Sequence, residues 1–164
     1  MITIPLTKNT TAIIDDEDAD LCKFKWNRHN AGYAQRMIGK FPNPTLLLMH
    51  RVIAERISGR ALSTSDKIDH ANGNRRDNRR LNLRVCSHSQ NLANRGKQTN
   101  NTSGYKGVFW SKNNKNWFAQ IGFANRDIRI GTFDNPKDAA RAYDEKAREL
   151  FGGFAVTNFD AATG

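Results

Sequence analysis

The chain has 164 residues, 38% of them hydrophobic, which allows one domain or two small ones with modest cores. Its net charge of +10 favours a polyanionic partner such as nucleic acid or an anionic membrane. No stretch is apolar over the length of a membrane span, and the N-terminus lacks the basic start and apolar core of a signal peptide. We therefore expect a cytoplasmic protein that binds nucleic acid and no membrane. Cys22 and Cys86 lie far apart and form no CxxC pair, so we interpret both as reduced thiols rather than zinc ligands or a disulfide.

The first 48 residues are predicted to be rich in strands, because "ITIPL", "TAIID" and "YAQRMI" are short β-branched or aromatic runs between polar clusters. The next segment, "TLLLMHRVIAERI", is predicted to be one helix that ends at Gly59. The helical spacing that supports it is that of Leu46, Met49, Ile53 and Ile57.

Residues 67–91, "KIDHANGNRRDNRRLNLRVCSHSQN", read as strand, loop, strand and helix. "KIDH" and "LRVC" are the two strands, and the Asn-Gly pair between them predicts a turn. "SHSQ" fits a capping box with Ser87 and Gln90, which starts a helix from about residue 88 to 95.

The stretch "RGKQTNNTSG" at residues 95–104 holds no apolar residue and is the best linker in the chain. Beyond it, "YKGVFW", "NWFAQIGF" and "DIRIGTF" predict three strands, with a helix capped by Asn135 and started by Pro136. In the middle strand the apolar positions from Trp117 to Phe123 alternate with Phe118, Gln120 and Gly122. The second half is therefore predicted to be a three-stranded antiparallel sheet packed on one helix.

The 67–91 segment also carries the residue types that phosphodiester hydrolysis needs, namely a base for water and ligands for a cation. His70 titrates near neutral pH and can be the base, while Asp69 and Asn91 supply hard oxygen ligands that suit Mg²⁺ better than zinc. Because adjacent strand residues face opposite sides, Asp69 and His70 can serve one phosphate only if the strand end twists or the phosphate lies over its tip.

These residues resemble the HNH endonucleases with the ββα-metal motif, in particular the phage and intron homing type. "MHRVI" at residues 49–53 matches the helix that often precedes that motif. The resemblance implies that His70 is the general base, that Asp69 and Asn91 hold Mg²⁺ with Mn²⁺ as a substitute, and that Asn82 pins the loop. Asn78 is the alternative to Asn82, and His88 competes with Asn91. For His50 the alternatives are packing beside the site and contact with DNA.

The second half resembles the AP2 DNA-binding domain through "GYKGVFW", "WFAQIGF", "IRIGTFDNPKDAARAYDEKARELFGG" and "TNF". The resemblance implies that the sheet lies in the major groove while the helix supports it. We expect Gln120 and Arg129 to reach base edges. Trp110 either covers the DNA or anchors the sheet edge. The predicted DNA-binding residues of this half are Lys106, Phe109, Trp110, Lys112, Lys115, Gln120 and Arg129.

The arginine run of the loop is the other predicted DNA-binding surface. Beside a nuclease centre such a run is expected to grip phosphates rather than read sequence. Its members are Arg75, Arg76, Arg79, Arg80 and Arg84.

Together these patterns predict an α+β protein with a strand-rich HNH domain at residues 1–97, whose ββα-metal core covers about 67–95. A linker at 98–104 and an AP2 domain at 105–160 follow. The predicted function is metal-dependent cleavage of double-stranded DNA by a monomer, with a dimer on DNA as the alternative. A DNA-binding regulator with a decayed nuclease half and an RNA-binding protein are the competing hypotheses.

Overall fold

The computed structural model describes residues 1–97 and 99–159. The chain is α+β, as predicted, and divides into two compact units between Ser87 and His88. This boundary precedes the predicted linker at 98–104, so the helix that follows the "LRVC" strand belongs to the second unit. None of the helices in the two described ranges combines the length and apolar character that crossing a membrane requires.

The first unit is built from small antiparallel sheets and one α-helix. A hairpin of β1 (Ile2–Leu6) and β2 (Thr10–Ile14) precedes a 3₁₀ segment (Asp16–Lys23). A three-stranded sheet follows, made of β3 (Asn27–Arg28), β4 (Ala34–Ile38) and β5 (Thr45–Leu48). Helix α1 (Met49–Ser58) then leads to a second hairpin of β6 (Lys67–His70) and β7 (Leu83–Cys86), with a 3₁₀ turn (Arg80–Asn82) in its loop.

The prediction of one helix over "TLLLMHRVIAERI" was wrong in its first part. Residues Thr45–Leu48 form β5, which pairs with β4 from Ile38↔Thr45 to Gln35↔Leu48. The leucine run fits either periodicity over so few residues, and the neighbouring strand decides between them. Helix α1 starts only at Met49, and Gly59 ends it in the left-handed conformation, as predicted.

The core of this unit collects the inward positions of the β1–β2 hairpin and one face of α1. Ile14, Trp26, Met49 and Ile53 are among its fully buried members. Because α1 both lines this core and follows β5 directly, it ties the three-stranded sheet to the N-terminal hairpin.

A buried carboxylate joins three segments of the first unit. Asp18 in the 3₁₀ segment is fully buried and accepts hydrogen bonds from Arg56 Nη1 at 2.7 Å and from Arg80 Nε at 2.9 Å. Burial raises the pKa of this carboxyl, but the two guanidinium groups outweigh it and leave the pKa below its ordinary value. Removing one partner of such a buried charge lowers the free energy of unfolding by several kcal/mol, so Arg80 has a structural role.

The second unit begins with α2 (His88–Ala93) and continues into a three-stranded sheet and a long helix. The strands are β8 (Val108–Ser111), β9 (Asn116–Phe123) and β10 (Arg126–Phe133), and the helix is α3 (Pro136–Phe151). Asn135 caps α3 by accepting a hydrogen bond from the Lys137 amide at 2.8 Å, as predicted.

The sheet and α3 pack through small side chains, as the alternation predicted. Ala119 and Ile121 of β9 meet Ala139, Tyr143 and Ala147 of α3, and all are buried. The alanines let the helix approach the sheet closely. The other sheet face is therefore free of the helix.

Candidate functional site

Asp69 and His70 are the last two residues of β6, and both are only 4% exposed. They lie opposite Arg84 and Leu83 of β7. The Arg84 guanidinium forms an ion pair with the Asp69 carboxylate, with 2.5 Å between Nη2 and Oδ2. The carboxylate predicted to bind metal thus already has a cationic partner on the neighbouring strand.

The loop after His70 turns back through the predicted Asn-Gly pair. Gly73 has φ of 71°, and its amide donates to the His70 carbonyl at 2.8 Å. Further along, buried Asp77 accepts a hydrogen bond from Asn72 Nδ2 at 2.8 Å and forms an ion pair with Arg79 at 2.7 Å. These bonds give the loop a defined conformation beside the end of β6.

Asn82 bridges the two ends of this loop. Its side-chain oxygen accepts from the Asn72 amide at 3.0 Å, and its Nδ2 donates to the Asp77 carbonyl at 2.7 Å. Its own carbonyl accepts from the Ala71 amide at 2.9 Å. These bonds join the two ends of the loop, and the loop-pinning role of Asn82 stays a prediction. The alternative, Asn78, donates to the Arg76 carbonyl at 3.1 Å and forms a side-chain hydrogen bond with His70.

Three rings cluster around His70. The centroids of the Tyr33 and His50 rings lie 5.9 and 5.4 Å from that of His70, and 4.7 Å from each other. Burial lowers the pKa of His70, and the charge of Arg75 acts in the same direction, while the Asn78 side chain and the charge of Asp69 oppose the shift. His70 is therefore held in the neutral form that a general base needs.

His50 packs beside His70, which corresponds to the first of the two alternatives for this residue. It is 8% exposed, and its Nδ1 makes no hydrogen bond to any residue in the described ranges. Burial, the charge of His70 and the charge of Arg51 lower the pKa of His50 to about 3.

We expect the first unit to lose stability in acid because of His50. Its folded pKa of about 3 lies below the unfolded value near 6.5, so the stability linked to the neutral ring is present above pH 6.5 and is lost towards pH 3. At pH 5 the loss is about 1 to 2 kcal/mol for this group. Thermal unfolding at pH 7.5 and 5, in EDTA, should show a smaller drop for His50→Gln than for the wild type. Equal drops would contradict the assignment.

Four of the five arginine side chains in the loop already contact other groups of the first unit. Arg79, Arg80 and Arg84 form ion pairs with Asp77, Asp18 and Asp69. Arg75 instead donates to the Ala31 carbonyl at 2.7 Å, and its guanidinium carbon lies 5.1 Å from the centre of the Tyr33 ring. Contact of the run with phosphates remains a prediction, and the ion pairs give three of its members a structural role as well.

The residues offered for a cation fit Mg²⁺ by their chemistry. The Asp69 carboxylate and the Asn91 amide oxygen are hard donors of the kind that Mg²⁺ prefers. In the described ranges no group of three or more His, Cys, Asp and Glu side chains is arranged to hold a metal ion. Asn91 and its competitor His88 lie on α2 in the second unit, so the role of Asn91 as second ligand stays a prediction.

In the second unit, three predicted DNA-binding residues share the sheet face opposite α3. Phe109 pairs with Phe118 across the strands, and Arg129 pairs with Gln120. The rings of Phe109 and Phe118 stack with centroids 5.4 Å apart, and the Arg129 guanidinium carbon lies 4.4 Å from the centre of the Phe118 ring. The exposed Lys112 and Lys115 lie in the adjoining hairpin loop. DNA contact by this face remains a prediction.

The ammonium group of Lys106 does not lie on the sheet face opposite α3. It donates to the backbone carbonyls of Ala93 and Val156 and lies 5.9 Å from the centre of the Tyr143 ring of α3. Burial lowers the pKa of Lys106 to about 8. Lys106 therefore anchors the segments beside the helix, and its contact with DNA stays a prediction.

Trp110 also lies on the helix side of the sheet. Its ring meets that of Trp117 edge-on with centroids 5.0 Å apart, and Trp117 packs against the core. Of the two predicted roles, this packing favours an anchor for the sheet edge, although 44% of Trp110 is exposed.

Sequence reasoning missed Tyr33, Asn72 and Asp77 as parts of the centre. Tyr33 comes from the β3–β4 turn, far from His70 in the chain, so no local pattern connects the two. Asn72 and Asp77 stand inside the quoted loop, and their polar side chains beside an Asn-Gly turn were the available signal.

Comparison with known families gives two matches that follow one another along the chain. Residues 47–93 match the family model described as "HNH endonuclease", and residues 103–153 match the one described as "AP2 domain". The first match ends with the last residue of α2, and the second covers the three strands and α3.

The relatives of this chain include several plant proteins. The Ethylene-responsive transcription factor WRI1 of Arabidopsis thaliana is 45% identical over 60 residues, which are 35% of this chain and 14% of that protein. The Dehydration-responsive element-binding protein 2D of the same plant is 42% identical over 69 residues, 39% of this chain and 32% of that protein. The Ethylene-responsive transcription factor ERN1 of Medicago truncatula is 34% identical over 84 residues, 50% of this chain and 31% of that protein. This chain thus spans less than a third of each relative.

Proposed function

We propose that this chain, which contains an HNH endonuclease domain followed by an AP2 domain, is a metal-dependent endonuclease that hydrolyses phosphodiester bonds in double-stranded DNA. The observation that carries the proposal is the buried Asp69–His70 pair at the end of β6, beside a loop that Asn82 holds closed. The AP2 sheet would help to select the target, and two linked DNA-binding units raise each other's effective concentration.

In the proposed reaction, the neutral imidazole of His70 accepts a proton from a water molecule. The water oxygen forms a bond to the scissile phosphorus, and the bond from phosphorus to the 3′ oxygen breaks. The leaving 3′ oxygen takes a proton from a solvent water, so the products are a 5′ phosphate and a 3′ hydroxyl. Asn82 contributes by fixing the loop that follows His70, so that the imidazole keeps its direction.

A divalent cation, when bound, would stabilise the charge that grows on the phosphate and on the leaving oxygen. Asp69 would hold it through a carboxylate oxygen, with Asn91 as the predicted second ligand. Mg²⁺ is the proposed ion, and Mn²⁺ is the substitute. Nicking by a monomer is part of the same proposal, because one centre per chain cuts one strand. A homing role and a phage source are proposed only from the resemblance to the phage and intron homing endonucleases.

Removal of metal tests the proposal. Supercoiled plasmid and a pool of random duplexes are incubated with the wild type in Mg²⁺, in Mn²⁺ or in EDTA. We expect nicked or linear product with either ion and at least a 100-fold slower reaction in EDTA, with 5′ phosphate and 3′ hydroxyl ends. If a selected high-affinity duplex stays uncut with both ions, the nuclease proposal is wrong.

The second candidate is a DNA-binding regulator whose nuclease half no longer cuts. It is favoured by the ion pair between Asp69 and Arg84, which gives the proposed metal ligand another partner. The relatives are named as transcription factors and an element-binding protein, which also favours this candidate. Binding of the selected duplex without cleavage is the result that this candidate predicts.

A further inference from the structure

The arginines near His70 differ in what their charges are already paired with. Arg79 and Arg84 face the carboxylates of Asp77 and Asp69 at 2.7 and 2.5 Å. A guanidinium paired with a carboxylate is neutralised locally and adds little to the binding of a further anion. Arg75 differs, because the partners that the structure gives its guanidinium are a backbone carbonyl and an aromatic ring.

Arg75 is held in place by the turn between β3 and β4. That turn is closed by hydrogen bonds from the His29 amide to the Tyr33 carbonyl and from the Gly32 amide to the His29 carbonyl, each 2.8 Å. It presents the Ala31 carbonyl to Arg75 Nη1 at 2.7 Å and the Tyr33 ring to the guanidinium at 5.1 Å. Two uncharged contacts from a second segment thus fix an exposed arginine without cancelling its charge.

The same Tyr33 ring connects Arg75 to the proposed base. The His70 ring centroid lies 5.9 Å from that of Tyr33, while the Arg75 guanidinium carbon lies 5.1 Å from it. A guanidinium has five N–H donors, and the Ala31 carbonyl takes one of them in the described structure. The other donors would be available to the oxygens of a phosphate bound beside His70.

We propose that Arg75 is a catalytic residue that binds the scissile phosphate and stabilises its growing charge, and that Tyr33 is the positioning residue that holds it. This inference rests on the proposed nuclease function. Preorganised donors aimed at developing charge typically contribute 10²–10³ in rate, which is more than a simple grip on the DNA backbone provides. Arg75 would therefore differ in kind from Arg79, Arg80 and Arg84, whose charges are paired with carboxylates.

The test compares Arg75→Ala, Arg75→Lys and Tyr33 variants under single turnover with enzyme in excess over a duplex that the wild type cuts. We expect about 100-fold slower cleavage by Arg75→Ala at saturation, with duplex affinity reduced less than about 5-fold. Arg75→Lys should recover little of the rate, because a lysine lacks the planar fork. Added guanidinium ion, at concentrations that leave the unfolding midpoint unchanged, should restore part of the rate to Arg75→Ala and none to the wild type.

Substitutions of Tyr33 test whether its ring positions Arg75 for the reaction. Tyr33→Phe keeps the ring and should keep the rate, while Tyr33→Leu removes the cation–π contact and should lower it about 10-fold. Arg60→Ala is the matched control, because it also removes one positive charge from the first unit, from an exposed ion pair with Asp66.

The outcomes are distinguishable. If the wild type cuts and Arg75→Ala cuts equally fast at saturation but binds more weakly, Arg75 is only a backbone contact and the inference is wrong. If the slower cleavage by Arg75→Ala accompanies a lower unfolding midpoint and disappears at low temperature, Arg75 only stabilises the loop. That result also shows that the inference is wrong. A wild type that never cuts overturns the proposed function, and the catalytic role of Arg75 with it.

Discussion

Replacing His70 by alanine is expected to slow DNA cleavage by 10²–10⁴-fold while leaving duplex binding within about 3-fold of the wild type. The reason is that the variant loses the group proposed to take the proton from water, but keeps the arginines and the AP2 sheet that are proposed to bind DNA. The measurement is single-turnover cleavage of a labelled duplex in Mg²⁺, with affinity measured separately in Ca²⁺ or EDTA.

Because His70 is buried among Tyr33 and His50, the alanine variant also leaves a cavity. The unfolding midpoint must therefore be measured beside the rate. Added imidazole distinguishes the two causes, since it can replace the missing base in a folded variant but cannot repair an unfolded one. A stable variant that cuts at the wild-type rate would show that His70 is not the base.

Replacing Gly107 by alanine is expected to destabilise the second unit by about 2 to 5 kcal/mol, and to weaken DNA binding accordingly. A β-carbon built at Gly107 would lie 2.1 Å from the Tyr143 ring and 2.9 Å from the Gln120 carbonyl oxygen. The backbone adds to this cost, because Gly107 has φ of 73°, which disfavours any residue with a β-carbon. Tyr143 of α3 is 5% exposed and packs against the sheet, so its ring has little room to move.

Gly104→Ala is the matched control for Gly107→Ala. Gly104 also has a positive φ, of 80°, but a β-carbon there meets nothing within 4 Å. It therefore reports the cost of the backbone conformation alone, about 1 to 2 kcal/mol. Hydrogen exchange of the α3 amides measures the stability of this unit in the full-length chain. Equal effects of the two substitutions would show that contact with Tyr143 does not decide the need for glycine at 107.

Local pattern was enough for most elements of this chain. The alternation in "NWFAQIGF" predicted β9 and its buried face, and Asn135 with Pro136 predicted where α3 begins. The HNH and AP2 domains were likewise identified from contiguous motifs, and the family comparisons confirm both. These features depend on residues close together in the chain, whose side-chain spacing and capping chemistry are independent of the rest of the fold.

The tertiary structure decided how the polar residues are paired. Residues 45–48 form a strand because β4 lies beside them. The Lys106 ammonium lies on the helix side of the sheet because it donates hydrogen bonds to the carbonyls of Ala93 and Val156 there. Arg80 meets Asp18 across 62 positions of sequence, and Arg75 meets Ala31 across 44. An arginine-rich loop looks uniform in sequence, whereas carboxylates inside and outside the loop pair with some of its members and not with others. A side chain's charge is set by its type, but the partner that cancels or directs that charge is brought to it only by folding.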